Sequence, residues 1–188
     1  MSADMRQFWL AVGLFLLALL GLILYYYRRS RKIADATWEQ LLRRLIFIDR
    51  NGVEQIARDA IDEGGNRRTD DHALELEAAQ IWNLIGGMDG LKAVEHNSQV
   101  LVDMAAYLQQ WYPEALVTAE ELRLTAREIE WHVGRLKAGA QSGNLEHWFA
   151  NYAQNAVASY YVMTRRLLDL YEKGNCPMRG DLQKVLQT

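Results

Sequence analysis

The segment from Phe8 to Tyr27, FWLAVGLFLLALLGLILYYY, decides the architecture because none of its twenty positions is charged. A helix rises about 1.5 Å per residue, so it spans roughly 30 Å here, the thickness of a bilayer hydrocarbon core. A helical backbone also satisfies its own hydrogen bonds, as lipid requires. Trp9 lies near one end, and Tyr25, Tyr26 and Tyr27 lie at the other, and such aromatic residues favour the membrane interfaces. The segment therefore predicts one transmembrane helix.

A cleavable signal peptide is the competing interpretation of this segment. The apolar core of a signal peptide is usually about 7–15 residues long and ends in small residues before the cleavage site. Here the run is longer, and Tyr27 is followed by Arg28 and Arg29. These contrasts favour an uncleaved signal-anchor. Because Gly13 and Gly21 are eight residues apart and form no GxxxG pair, the segment does not support self-association of this helix.

The charges on the two flanks predict the orientation of the segment. The N-terminal flank holds one basic and one acidic residue, whereas the C-terminal flank opens with four basic residues: Arg28, Arg29, Arg31 and Lys32. The positive-inside rule places the basic flank in the cytoplasm. Anionic lipid headgroups also attract such a cluster, by about 1 kcal/mol per basic residue. We therefore expect a single-pass protein of the inner (plasma) membrane, with its N-terminus outside and its C-terminal domain in the cytoplasm.

The remainder of the chain is acidic. The 188 residues have a formal net charge of −3 and a pI of about 5.8, which argues against a nucleic-acid partner. Residues 1–32 carry a net charge of +4, so the residues after them carry −7. An acidic domain near an acidic leaflet is expected to stand off the membrane surface. The single cysteine, Cys176, excludes a disulfide framework and fits a reducing compartment.

From Ile33 onward, apolar residues recur at spacings of three and four, which predicts α-helices throughout. The predicted helices cover about 34–49, 53–61, 70–85, 89–112, 113 or 118 to 141, 145–172 and 181–186. Turns at Asn51-Gly52, Gly86-Gly87, Pro113 and Ser142 separate them, and 63–71 is expected to form a polar loop. Whether the first of these helices continues the membrane helix is left open. The fold class is all-α, an antiparallel bundle of four to five main helices behind one transmembrane helix.

The predicted organisation has five parts. Residues 1–7 form a short extracytoplasmic N-terminus, 8–27 the transmembrane helix and 28–36 a basic juxtamembrane linker. Residues 37–174 form the cytoplasmic helical bundle, and 175–188 form a C-terminal tail with one short helix.

Motifs that carry chemistry are not recognisable. The glycine-rich stretch 85–90 lacks the preceding strand and the following Lys-Ser or Lys-Thr of a phosphate loop, so it predicts a turn between helices. Glu128 and His132 are four residues apart on one predicted helix, but the Glu-x-x-His pattern of a di-metal bundle is missing. Cys176 has no predicted helix N-terminus beside it to activate it. We predict no catalytic, cofactor-binding or metal-ligating residue, and no enzymatic activity.

The aromatic residues provide the candidate interaction site. Five tryptophans follow the membrane segment, and most of them are expected in the core because they join or flank apolar stripes: Trp38, Trp82, Trp111, Trp131 and Trp148. Trp131 and Tyr161 fall off the main apolar seams of their helices, which marks them as candidates for a partner surface. The alternative is that both belong to a wide core face.

Together these patterns predict a single-pass, membrane-anchored helical interaction module, acting as an anchor, adaptor or accessory subunit of a membrane complex. Its expected partners are the lipid bilayer and another membrane or cytoplasmic protein. The alternative is a helical-bundle enzyme or ligand sensor with a metal or small-molecule site in its core.

Overall fold

The computed structural model describes residues 3–34, 37–61, 76–142 and 145–187. These described residues form eight α-helices: α1 (Ala3–Ala34), α2 (Trp38–Arg44), α3 (Arg50–Ala60), α4 (Ala78–Ile85), α5 (Gly87–Leu108), α6 (Ala115–Ser142), α7 (Leu145–Lys173) and α8 (Arg179–Gln187). The chain divides into two compact units, Met1–Thr37 and Trp38–Thr188. The prediction of an all-α protein with a helical bundle is confirmed.

The first unit consists of helix α1, which has 32 residues and runs through the segment predicted as a linker as far as Ala34. Its apolar side chains from Phe8 to Leu22 are largely exposed within the unit. Over the described part of the chain, no helix is both long and apolar enough to cross a membrane. This finding does not support the predicted transmembrane helix. The side chains of seven predicted interface and topology residues lie outside the described residues: Tyr25, Tyr26, Tyr27, Arg28, Arg29, Arg31 and Lys32.

The helix predicted at 34–49 is much shorter in the structure. Helix α2 ends at Arg44, and 45–49 is not helical. Leu41 is fully buried, but Ile46, which the periodicity places on the same face, is exposed. The prediction was wrong because a distant side chain, described below, binds the backbone of Ile46.

The turn predicted at Asn51-Gly52 is also wrong, since both residues lie inside α3. Helix α3 begins one turn earlier because Asp49 caps it, its carboxylate accepting a hydrogen bond from the backbone N–H of Asn51 at 3.0 Å. Gly52 is buried where α3 crosses α4, and a β-carbon there would lie 2.2 Å from the carbonyl oxygen of Leu84. The glycine therefore permits close helix packing and does not end a helix.

The turn predicted between α4 and α5 is confirmed. Gly86 adopts a left-handed conformation with φ of 77° and ends α4, and α5 begins at Gly87. The predicted polar loop 63–71 and the first six residues of the helix predicted at 70–85 lie outside the described residues, and α4 begins at Ala78.

Three long helices, α5, α6 and α7, form most of the core, and α3 packs along α7 as a shorter fourth member. Contacts between Glu121 and Arg166 and between His132 and Tyr152 show that α6 and α7 run antiparallel. The pairs Asn97–Tyr160 and Met104–Tyr171 advance together, so α5 and α7 run in the same direction. The predicted seam of α6 is buried: Leu122, Ala126, Ile129, Val133 and Leu136.

The prediction that most tryptophans lie in the core is wrong for those whose side chains are described. Trp38 is buried, but Trp82, Trp111 and Trp131 are exposed. Each exposed ring covers a neighbouring aromatic ring; Trp111 packs edge-on against Tyr107, with centroids 4.7 Å apart. A tryptophan that flanks an apolar stripe lies at the edge of the core, where neighbouring side chains cover only one face of its ring.

Candidate functional site

The second unit contains a groove of about 790 Å³. Its walls come from the non-helical segment 45–48, from α3, from α7 and from α8, with Asn97 of α5 at its base. We call it the α3–α7 groove. Its apolar lining includes Leu45, Val53, Tyr160 and Leu168.

Asn97 positions one wall of the groove. The backbone N–H of Ile46 donates to Asn97 Oδ1 at 2.8 Å, and Asn97 Nδ2 donates to the carbonyl oxygen of Ile46 at 2.7 Å. The buried amide thus satisfies both backbone groups of Ile46, as an adjacent β-strand would. Nδ2 also donates to the hydroxyl of Tyr160 at 3.4 Å. Because Asn97 supplies the hydrogen bonds for the backbone of Ile46, this residue does not need helical partners, and α2 ends at Arg44.

The wall held by Asn97 presents apolar side chains to solvent. Phe47 is 76% exposed, and Ile46 and Val185, on either side of the groove, are also exposed. Exposed large apolar side chains that border a concave site are typical of a binding surface.

Some charged residues that line the groove form ion pairs, and others have no acidic partner among the described residues. Asp169 forms an ion pair with Lys173 at 2.8 Å, and Glu172 forms one with Arg179 at 3.0 Å. Among the described residues, Arg50 has no ion-pair partner, and Arg165 lies over the ring of Tyr161 at 5.8 Å without pairing with an acid. The groove therefore presents uncompensated positive charge beside apolar surface.

Tyr160 makes stability depend on pH in the alkaline range. Burial raises the pKa of Tyr160 from its usual 10 to about 12, and the hydrogen bond from Asn97 opposes the rise. Below pH 10 the phenol is neutral in the folded and the unfolded protein, and its contribution to stability is fully present. Between pH 10 and 12 the unfolded chain ionises first, so stability falls by up to about 3 kcal/mol.

We expect Tyr160→Phe to reduce this loss of stability in urea unfolding measured at pH 9–12. Parallel curves for both proteins would contradict the assignment of the loss to Tyr160.

The two residues predicted for a partner surface lie in different places. Tyr161 lines the α3–α7 groove and packs beside Ala57, Ile61 and Ala158. Trp131 lies on α6, half exposed, with its ring edge-on to Tyr152 at 5.5 Å. No described contact joins the two residues, so a shared partner surface remains a prediction.

Chemically reactive groups are not assembled in the described residues. Within residues 3–34, 37–61, 76–142 and 145–187, no three His, Cys, Asp or Glu side chains are grouped to hold a metal ion. His132 is buried and lies 3.6 Å from Glu128, the residue four positions before it on α6. Burial raises the pKa of the Cys176 thiol, which disfavours the reactive thiolate.

Sequence reasoning missed most of the groove. Tyr161 was identified from its off-seam position. Ile46 and Phe47 were wrongly assigned to a helix, and Asn97, correctly assigned to a helix, was not identified as a site residue. An asparagine among apolar core positions of the central helix was the available signal, because a buried amide needs hydrogen-bond partners.

No protein-family model matches the sequence, and no curated protein or solved structure matches it either.

Proposed function

We propose that the protein is a membrane-anchored interaction module whose α3–α7 groove binds an apolar segment of another protein flanked by acidic residues. It acts as an anchor, adaptor or accessory subunit at the inner membrane. The observation that carries the proposal is that the exposed Phe47 lines the same groove as Arg50 and Arg165, neither of which has an acidic partner among the described residues.

Support for the anchor comes from the sequence. The uncharged run Phe8–Tyr27 is long enough to cross a bilayer as a helix, and four basic residues follow it directly. This run includes Ile23 and three tyrosines, whose side chains lie outside the described residues. The charge difference between the flanks favours an N-terminus outside and a C-terminal domain in the cytoplasm.

Support for the partner chemistry comes from the groove. An apolar helix or strand buries its side chains against Phe47, Leu45 and Leu168, and most of the binding energy comes from such burial. Acidic flanks of that segment meet Arg50 and Arg165, which have no acidic partner in the described chain. Charge complementarity of this kind mainly supplies specificity and association rate.

The groove is tested by photo-crosslinking of the full chain in its native membranes. A photoreactive phenylalanine analogue at position 47 is expected to capture one predominant protein, and the captured peptide should be apolar with Asp or Glu beside it. The same analogue at the exposed Trp111, outside the groove, is the control. Equal capture from both positions, or a captured peptide with basic flanks, would contradict the proposal.

The charges of the groove give a quantitative prediction. Replacing Arg50 and Arg165 together by glutamate should lower the crosslinking yield from position 47 about tenfold, because two attractive pairs become repulsive. The matched control, Arg43→Glu, reverses an exposed charge on α2 away from the groove and should leave the yield unchanged.

Two further measurements separate the anchor and the ligand alternative from the groove. We expect the protein to resist carbonate extraction and its C-terminal domain to be protected from external protease. A mature chain that begins beyond Tyr27 would contradict the membrane anchor and leave the groove proposal untouched. A groove of about 790 Å³ also has the volume of a small-molecule pocket. Native mass spectrometry that finds a bound small molecule, lost on Phe47→Asp, would favour a ligand sensor over protein binding.

A further inference from the structure

Helix α6 has a second apolar face that is largely exposed in the described part of the chain. Its core face is buried in the bundle, whereas Val117, Leu124 and Trp131 are 67%, 65% and 51% exposed. These three residues are seven positions apart, and Ala138, seven further on, is exposed as well. A seven-residue spacing keeps side chains along one side of a helix, as in the seam of a coiled coil.

Charged residues along this stripe are arranged with opposite signs at its two ends. Glu120 and Glu121 lie near Val117, and Arg135 lies near Ala138. At the centre of the stripe, Arg127 and Glu128 are adjacent in sequence and opposite in charge.

This distribution is complementary to itself when one copy of α6 is placed antiparallel to another. With the symmetry axis between residues 127 and 128, four facing pairs form across the two copies: Val117 with Ala138, Glu120 with Arg135, Leu124 with Trp131, and Arg127 with Glu128. In these four pairs each apolar residue faces an apolar residue and each charge faces its opposite. Glu121 faces Gly134 and keeps its ion pair with Arg166 of its own chain at 3.7 Å. A two-fold symmetric interface requires such matching between a surface and its own copy.

Trp131 is suited to form the centre of this interface. Its ring is held edge-on by Tyr152 at 5.5 Å, and Arg135 lies over it at 5.4 Å. A tryptophan that is already fixed loses little side-chain entropy on binding, and tryptophan is enriched among residues that dominate interface energies.

We propose that two copies of the chain associate through the exposed face of α6, with the two helices antiparallel. This surface is separate from the α3–α7 groove, so either proposal can fail without the other. The proposed contact is made by α6, and α1 is not part of it.

The oligomeric state of the full chain in mild detergent tests the proposal. Sedimentation equilibrium is expected to give a dimer, and Leu124→Asp should raise the dimer dissociation constant about a hundredfold, because each dimer loses two buried leucines. The control is Leu116→Asp, which removes an exposed leucine of the same helix outside the stripe. A monomer at all concentrations, or equal effects of both substitutions, would overturn the proposal. Circular dichroism of both variants verifies that the helices are retained.

A charge exchange tests the register of the two helices. Glu120→Arg and Arg135→Glu should each weaken the dimer about tenfold, and the double variant should recover most of the loss, since the facing pair is then restored in reverse. Additive losses in the double variant would contradict this register.

Crosslinking tests the direction of the pairing. In a Cys176→Ser background, chains with Val117→Cys are mixed with chains with Ala138→Cys and treated with a short bismaleimide. The antiparallel arrangement predicts that the mixture forms a crosslinked dimer, and that Val117→Cys alone does so much more weakly. Efficient crosslinking of Val117→Cys with itself would indicate parallel pairing and would overturn the proposal.

Discussion

Replacing Gly52 by alanine is expected to destabilise the helical bundle by about 3 kcal/mol, the upper part of the range for overpacking a tight contact. The added β-carbon would lie 2.2 Å from the carbonyl oxygen of Leu84 and 3.0 Å from its carbonyl carbon. Both are backbone atoms, so no side chain can turn aside to make room. Helices α3 and α4 must separate, and the apolar contacts between them are weakened.

Urea unfolding monitored by circular dichroism measures this loss. Gly180→Ala is the matched control, because Gly180 also lies near the start of a helix and a β-carbon there meets nothing within 4 Å. That substitution should leave stability unchanged or raise it by up to about 1 kcal/mol, through the greater helix propensity of alanine. Similar midpoints for the two variants would show that α3 and α4 do not approach so closely.

Replacing Asn97 by leucine is expected to cost about 3 kcal/mol as well, because the backbone N–H and C=O of Ile46 both lose their partner. Leucine keeps the branched arrangement of the side-chain heavy atoms, so the main change is the loss of the hydrogen bonds to Ile46 and Tyr160. We also expect the amide hydrogen of Ile46 to exchange faster with solvent, and protease to cut the segment 45–49 more readily.

Hydrogen exchange followed by mass spectrometry, together with urea unfolding, checks both expectations. Ser98→Ala is the control, since Ser98 is equally buried but donates only to the carbonyl oxygen of Glu95 in its own helix. Its effect should stay within about 1 kcal/mol. Unchanged exchange at Ile46 in the Asn97→Leu protein would contradict the role of the amide as its partner.

The long helices were predictable because their stabilising contacts repeat regularly along the sequence. The spacing of apolar residues predicted a stripe of seven on α7, of which Tyr152 is half-buried and the other six are buried: Phe149, Ala156, Tyr160, Met163, Leu167 and Leu170. The breaks at Gly86 and near Pro113 were also predictable, since both residues impose local backbone constraints that need no tertiary partner. The exact end of α5 was not, because α5 ends at Leu108 and was predicted to reach Tyr112.

The segment 45–49 was not predictable, because the residue that determines its conformation is 51 positions away from Ile46. Local pattern favours continuing α2 through Leu45 and Ile46, and only the folded bundle brings Asn97 within reach. The role of Gly52 was not predictable either, because the carbonyl oxygen of Leu84, which leaves no room for a β-carbon there, lies on another helix.

For the candidate site, the sequence identified single residues without their surroundings. Tyr161 and Trp131 were noticed because they lie off the main seams, but their separation onto two surfaces depends on how α3 and α6 pack around α7. The charge of the groove depends on the pairing of Asp169 and Glu172 with Lys173 and Arg179, which composition alone does not reveal.

The packing of α3 against α7 also has a consequence for biosynthesis. Gln154 Nε2 donates to Asp59 Oδ2 at 2.7 Å across a sequence separation of 95 residues. Ribosomes add about 5–20 residues per second, so α3 is completed about 5–20 s before the helix that covers it. During that interval its apolar side, with Val53, Ile56 and Ala57, has no native neighbour on α7. The nascent chain therefore passes through a stage at which this apolar side is open to aggregation.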